Sequence, residues 1–324
     1  IILSTYWGYN MNIKKNDLIT LSKLSDLTTN QDILYSLNKD KKVITNTSKE
    51  LVEKRIGFTS NYLNKESILD IMTHNKFLKN TNKKVKLSKR ISSKVLDEIF
   101  IDFLITTNIP LFELYTKMKK HNIIYTTIDE NICGSTVYIK SLLKNYIIIN
   151  DATAFDKKLT LIHELGHAFQ NLNGYKQTDY YSTCFMESFS SFLELQFIDY
   201  LRKNGFKEKS FNEKVNIINE IISNHSILND SLDSYLSDNI STIDKLIFDY
   251  KYKQFMSDLL CLYFYSKYKS NDYEELLDCF NMNYAKVNDK EMLRILGIPF
   301  ETFKYGSCVK KFEKELSQEK KLIK

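Results

Sequence analysis

Residues 159–169 read Leu159-Thr160-Leu161-Ile162-His163-Glu164-Leu165-Gly166-His167-Ala168-Phe169. The apolar set Leu159, Leu161, Ile162, Leu165 and Phe169 predicts a buried helix, and helical patterning extends over 156–172. Within it, His163-Glu164-Leu165-Gly166-His167 is an HExxH pattern. Positions i and i+4 of a helix share a face, so His163 and His167 can aim imidazole nitrogens at one metal ion, with Glu164 beside it. Two imidazoles and a carboxylate suit zinc. The chain holds only 5 His, and two of them stand here. The competing reading is a pair of core histidines satisfied on a helix face. Gly166 costs about 1 kcal/mol against Ala inside a helix, which predicts close backbone packing there.

A catalytic zinc needs a third protein ligand and an open position. The candidate is Glu187, twenty residues after His167 on the next predicted helix, 182–203, among Phe185, Met186, Phe189 and Phe192. An ordinary helix-surface glutamate is the alternative. Glu194 lies two turns on along the same face. It reads equally well as an acceptor for a ligand histidine or as a surface residue. Cys184 reads as a buried, inert thiol.

Outward from these helices the texture changes only once. Ser135–Lys140 and Asn145–Asn150 are β-branched and aromatic between turn-like residues, which predicts a small sheet or hairpin next to the active-site helix. Elsewhere helices are expected: over 91–104, where Val95, Ile99 and Phe103 stand at helical spacing beside Leu96; after the break at Asn108-Ile109-Pro110; and from Asn212 to the end. Only 8 Gly and 2 Pro occur in 324 residues, too few for an all-β fold or for Gly-rich βα turns. The expected fold is mainly α: a large helical catalytic domain over 61–324, preceded by a helical segment over 1–60.

Composition narrows the function. The net charge is +6, but only four of the 46 basic residues are Arg, a poor set for reading bases or phosphates. The basic run 79–90 reads as a solvated loop or helix end. Five Cys, odd in number and without a CxxC pair, argue against a disulfide framework and for a reducing, cytoplasmic setting. No apolar run reaches membrane-spanning length. The chain begins at Ile1 without Met, as expected of a fragment or processed chain.

With these residues in view, the sequence resembles the oligoendopeptidase F and thimet-type group of zinc peptidases. HELGHAF followed by Ser182-Thr183-Cys184-Phe185-Met186-Glu187-Ser188-Phe189-Ser190 is similar to the family's HExGH and its glutamate-bearing helix. Tyr146–Asn150 resembles its edge strand. The stretches IDFLITTNIPLFELYTKMKK and MLRILGIPFETFKYGSCVKKFEKEL are similar to its preceding helices and closing segment.

The resemblance implies a helical zincin domain, one zinc per chain, oligopeptide substrates, and a tyrosine, often with a histidine, that stabilises the tetrahedral intermediate. Tyr250 and Tyr252 fall where the family has tyrosines, although a buried aromatic is an equal reading of each. The accompanying histidine is absent, since no His follows His225. The family's glycine-bearing segment before the edge strand is reduced to Ile132-Cys133-Gly134-Ser135-Thr136. The chain also reads as an N-terminally short member.

The expectation is a zinc endopeptidase in which His163, His167 and Glu187 hold the metal and Glu164 is the general base. Strand 145–150 would align the peptide by strand addition. The alternative is a zinc-binding, catalytically weak relative that binds peptides or a partner. Neither nucleic acid nor membrane is expected as a partner, and oligomeric state is left open.

Overall fold

The structure, a computed structural model, describes residues 64–75, 90–128, 133–139, 144–173, 180–268, 276 and 288–323. The expected segment 1–60 and all but the last residue of the basic run 79–90 lie outside these. Among the described residues there are ten helices and one three-stranded sheet, so the protein is mainly α, as its scarcity of Gly and Pro implies. These residues fall into two compact units, 93–173 in one and 64–75, 90–92 and 180–323 in the other.

The first unit is built around strand β3. Its elements are α2 (Ser93–Thr107), α3 (Ile109–Lys120), β1 (Ile124–Thr127), β2 (Gly134–Ile139), β3 (Lys144–Asn150) and α4 (Ala154–Leu172), α1 being the Lys65–His74 helix of the second unit. Asn108 caps α3 by accepting a hydrogen bond from the Leu111 N–H at 2.8 Å, with Pro110 in the first turn, where its missing N–H costs nothing. The buried face of α2 runs through Leu96, Ile99, Phe100, Phe103 and Leu104, while Val95 is exposed. The apolar stripe is therefore turned away from Val95, which the spacing had included.

The sheet order is β1-β3-β2. β2 and β3 form the expected antiparallel hairpin, with Gly134 opposite Ile149 and Thr136 opposite Ile147. β1 runs parallel on the other side, with Ile124 opposite Ile147. This corrects the expectation that 145–150 is an edge strand open to a peptide. Both of its ladders are occupied, and Asn145 through Ile149 are buried without a break, as a strand covered on both faces must be. The β-branched and aromatic run Ile123-Ile124-Tyr125-Thr126-Thr127 was the sequence signal for the extra strand.

Helix α4 packs on β2 and β3. Thr153 caps it, accepting from the Asp156 N–H at 3.3 Å. The buried Asn145 amide of β3 donates to the Ala168 carbonyl of α4 at 3.2 Å, and Asn171 donates back to Asn145 at 3.0 Å. These bonds set how far α4 can slide along the sheet.

The second unit is a helical assembly of α1 (Lys65–His74), α5 (Tyr180–Lys203), α6 (Lys207–Leu236), α7 (Thr242–Lys267), α8 (Asp289–Ile295), α9 (Phe300–Lys304) and α10 (Ser307–Ile323). α5 and α7 are buried on most of their surface, and each packs on α6 and on the other. α5 is thus a core helix. Phe185 meets Phe264 edge-to-face at 5.5 Å between α5 and α7. Lys214 of α6 is 2% exposed, and its ammonium lies 2.6 Å from both Asp199 of α5 and Glu319 of α10. Tyr265 of α7 donates to Asp199 at 2.5 Å. One buried cation therefore gathers four helices, an arrangement that tolerates loss of any partner poorly.

α8 is tied to α7 by the Tyr252 hydroxyl, which donates to Asp289 Oδ2 at 2.6 Å with both residues fully buried. Burial pushes the Asp289 carboxyl up from 3.8 to about 8, against weaker opposing pulls from its own backbone N–H and Lys290. Between these values the folded chain keeps a proton that the unfolded chain has lost. Unfolding free energy must then fall as pH rises from about 4 to about 8, by up to about 1.4 kcal/mol per pH unit, and level off above. Asp289→Asn removes the titration and still accepts from Tyr252. Denaturant melts at about pH 5 and about pH 8 should show the variant losing less stability over this interval than the parent; equal losses would place the titration elsewhere.

Candidate metal centre

His163 and His167 project from one face of α4, one turn apart. Their Nε2 atoms face each other at 3.1 Å, and the rings meet edge-to-face with centroids 4.8 Å apart. Two nitrogens each about 2.05 Å from a tetrahedral zinc would stand roughly 3.3 Å apart, so the pair has nearly the separation that a shared ion demands. His167 Nδ1 lies 3.4 Å from Oε1 of the fully buried Gln170. A hydrogen on Nδ1 directed at that oxygen leaves the Nε2 lone pair facing His163, the tautomer a metal ligand needs.

Glu164 turns toward the sheet and is 5% exposed. Thr136 Oγ1 of β2 lies 2.8 Å from its Oε2 and 2.8 Å from its backbone oxygen. A Cβ built on Gly134 would fall 2.6 Å from Glu164 Oε1 and 2.4 Å from Thr160 Cγ2. The strand can approach the helix at this point because position 134 has no side chain.

Glu187 is half-buried on α5, whereas Phe185, Met186, Ser188 and Phe189 around it are buried. His163 and His167 stand in the first unit and Glu187 in the second; two imidazoles and a carboxylate are the donor set of a zinc site. Within the second unit Glu187 belongs to an acidic neighbourhood. The Asp258 carboxyl is pushed well above its usual range, first by burial and then by Glu220, Glu194 and Glu187, against a hydrogen bond from Asn224. Carboxylates gathered in this way repel each other, and a cation relieves that repulsion.

The two tyrosines point in different directions, because residues two apart on a helix do not share a face. Tyr252 is fully buried, gives its hydroxyl to Asp289, and is held by burial well above the usual phenol range. Tyr250 is 46% exposed, and its hydroxyl accepts from Gln254 at 2.9 Å.

Gln170 and Thr136 carry no role in the sequence reading. Gln170 stands one turn after His167, where an acceptor for its ring would be sought. Gly134 and Thr136, read as a reduced family segment, are two apart on a strand and so share a face.

No helix among the described residues is long and apolar enough to cross a membrane. No protein-family model matches the chain, and no curated protein matches it significantly. Solved structures do. A protein of Bacillus anthracis str. Ames described as an oligoendopeptidase F aligns over 91% of this chain, with a TM-score of 0.53 and 15% identity. A second protein described as an oligoendopeptidase F aligns over 98%, with a TM-score of 0.57 and 10% identity. PZ peptidase A with a bound inhibitor aligns over 98%, with a TM-score of 0.57 and 12% identity. The chain spans 64% of the Bacillus anthracis structure and 73% and 74% of the other two. A helical chain carrying an HExxH helix against a small sheet thus has the fold of the oligoendopeptidase F and PZ peptidase structures.

Proposed function

We propose that this chain is a zinc-dependent endopeptidase acting on oligopeptides. The observation that carries the reading is the pair of imidazole nitrogens facing each other at 3.1 Å, with the next residue, Glu164, held against the sheet. Two imidazoles and one carboxylate fit zinc, so His163, His167 and Glu187 are assigned as its ligands, one ion per chain. When bound, zinc supplies Lewis acidity that activates water and polarises a peptide carbonyl.

Glu164 accepts the proton of the attacking water and delivers it to the leaving amine. One of the two tyrosines supplies a hydrogen bond to the oxyanion. Tyr250 is the exposed member of the pair and is our assignment; Tyr252 spends its hydrogen on Asp289. A peptide would align on β2, which lies at the sheet edge and reaches Glu164 through Gly134 and Thr136. The peptidases of the same fold support peptides as the substrate class. The second reading, a zinc-binding relative of little activity, draws on the absence of any His after His225 beside the tyrosines.

The purified chain should hold one zinc and cleave a quenched fluorescent peptide library in a chelator-sensitive way. Zinc without cleavage selects the second reading, and a folded chain without zinc refutes the ligand assignment. Glu164→Gln should retain zinc and lose activity by about 10²–10⁴-fold; parental turnover would remove Glu164 from its role. Glu187→Ala should cut zinc affinity by at least about 100-fold, measured by competition with a chromophoric chelator, and an unchanged affinity would return Glu187 to the helix surface.

A further inference from the structure

We propose that Thr136 is the positioning residue for the Glu164 carboxylate, and that Gly134 is required to admit it. The inference rests on the peptidase reading for its kinetic consequence but not for its structural one.

A glutamate side chain has three rotatable bonds, and a proton-transfer group must be held close to one geometry to be useful. The spacing of HExxH does not by itself set that geometry. β2 supplies it from outside the motif. Its alternation puts positions 134 and 136 on one face, toward α4. One carboxylate oxygen, Oε1, occupies the space a Cβ at 134 would need. The other, Oε2, is 2.8 Å from the Thr136 hydroxyl. The same hydroxyl is 2.8 Å from the Glu164 backbone oxygen, so its single hydrogen is shared between the carboxylate and that residue's own turn of helix. That turn carries His163, and His167 follows on the next, so a strand residue sets the carboxylate relative to both imidazoles. Thr is suited to this place because its branched Cβ is stiff on a strand and its hydroxyl is short. Val has the same shape without the hydroxyl.

The test compares Thr136→Val, Thr136→Ser and Gly134→Ala with the parent. Thr136→Val should bind one zinc with parental affinity, keep KM within about twofold, and lose kcat by about 10- to 100-fold. Thr136→Ser should restore most of that loss. Adding Thr136→Val to Glu164→Gln should cost nothing further, because the residue acts only through Glu164. Gly134→Ala should lower kcat as well, by displacing the carboxylate. Crystal structures of the metal-free parent and Thr136→Val, with Thr136→Ala in its place should Val not fold, should show the Glu164 carboxylate moved or in several positions only in the variant. A parental kcat in Thr136→Val, or a carboxylate in the same single position, overturns the proposal. If the parent itself hydrolyses no peptide, the peptidase reading falls, and the metal-free structures still decide whether Thr136 holds Glu164.

Discussion

Helix α4 must do two incompatible things at once, and the rest of the first unit follows from how it does them. One face has to be buried on the sheet, since Ile162, Leu165 and Ala168 are fully covered. The other carries two imidazoles close together and half-open to their surroundings. A helix that slid by a fraction of a turn would bury the histidines or expose the apolar face. The Asn145–Ala168 bond prevents this by matching a buried amide of β3 to a carbonyl of the helix. A buried amide left without its partner is costly, so the register of helix on sheet is specified by polar as well as apolar contacts.

The same register brings β2 to Glu164. A glycine and a threonine two residues apart look like debris in a linear reading of the family pattern, but on the folded chain they form one side of a socket. The second unit gathers charge differently. α5 is covered almost all round yet carries Glu187 and Glu194, and α7 sets Asp258 among them and Glu220. Burial and mutual repulsion both oppose charge there. Elsewhere in that unit the cost is met by a lysine, Lys214, between Asp199 and Glu319. The cation proposed for Glu187 would offset the charge of the other acidic neighbourhood.

Tyr250 and Tyr252 illustrate how far apart two adjacent candidates can end. They are the same residue type with much the same neighbours along the chain, and the sequence offers no means to rank them. On a helix they diverge, and packing then separates them: one hydroxyl is committed to a buried carboxyl, and the other belongs to an exposed side chain and accepts from Gln254.

The sequence by itself determined what depends on neighbours along the chain. That includes the helical character of 156–172 and the shared face of His163 and His167. It also includes the small sheet or hairpin over 135–150, the helix break at Asn108-Ile109-Pro110, and the mainly helical class. Each rests on a period of 3.6 or 2 or on local backbone preference. Tertiary structure decided what depends on residues far apart in the chain. The parallel pairing of β1 made 144–150 a central strand. Packing turned the α2 stripe away from Val95 and covered α5 on most sides. The approach of β2 to α4 gave Thr136 and Gly134 their contact with Glu164. These follow from which surfaces meet, and a one-dimensional pattern does not encode the distance between two faces until the chain has closed upon itself.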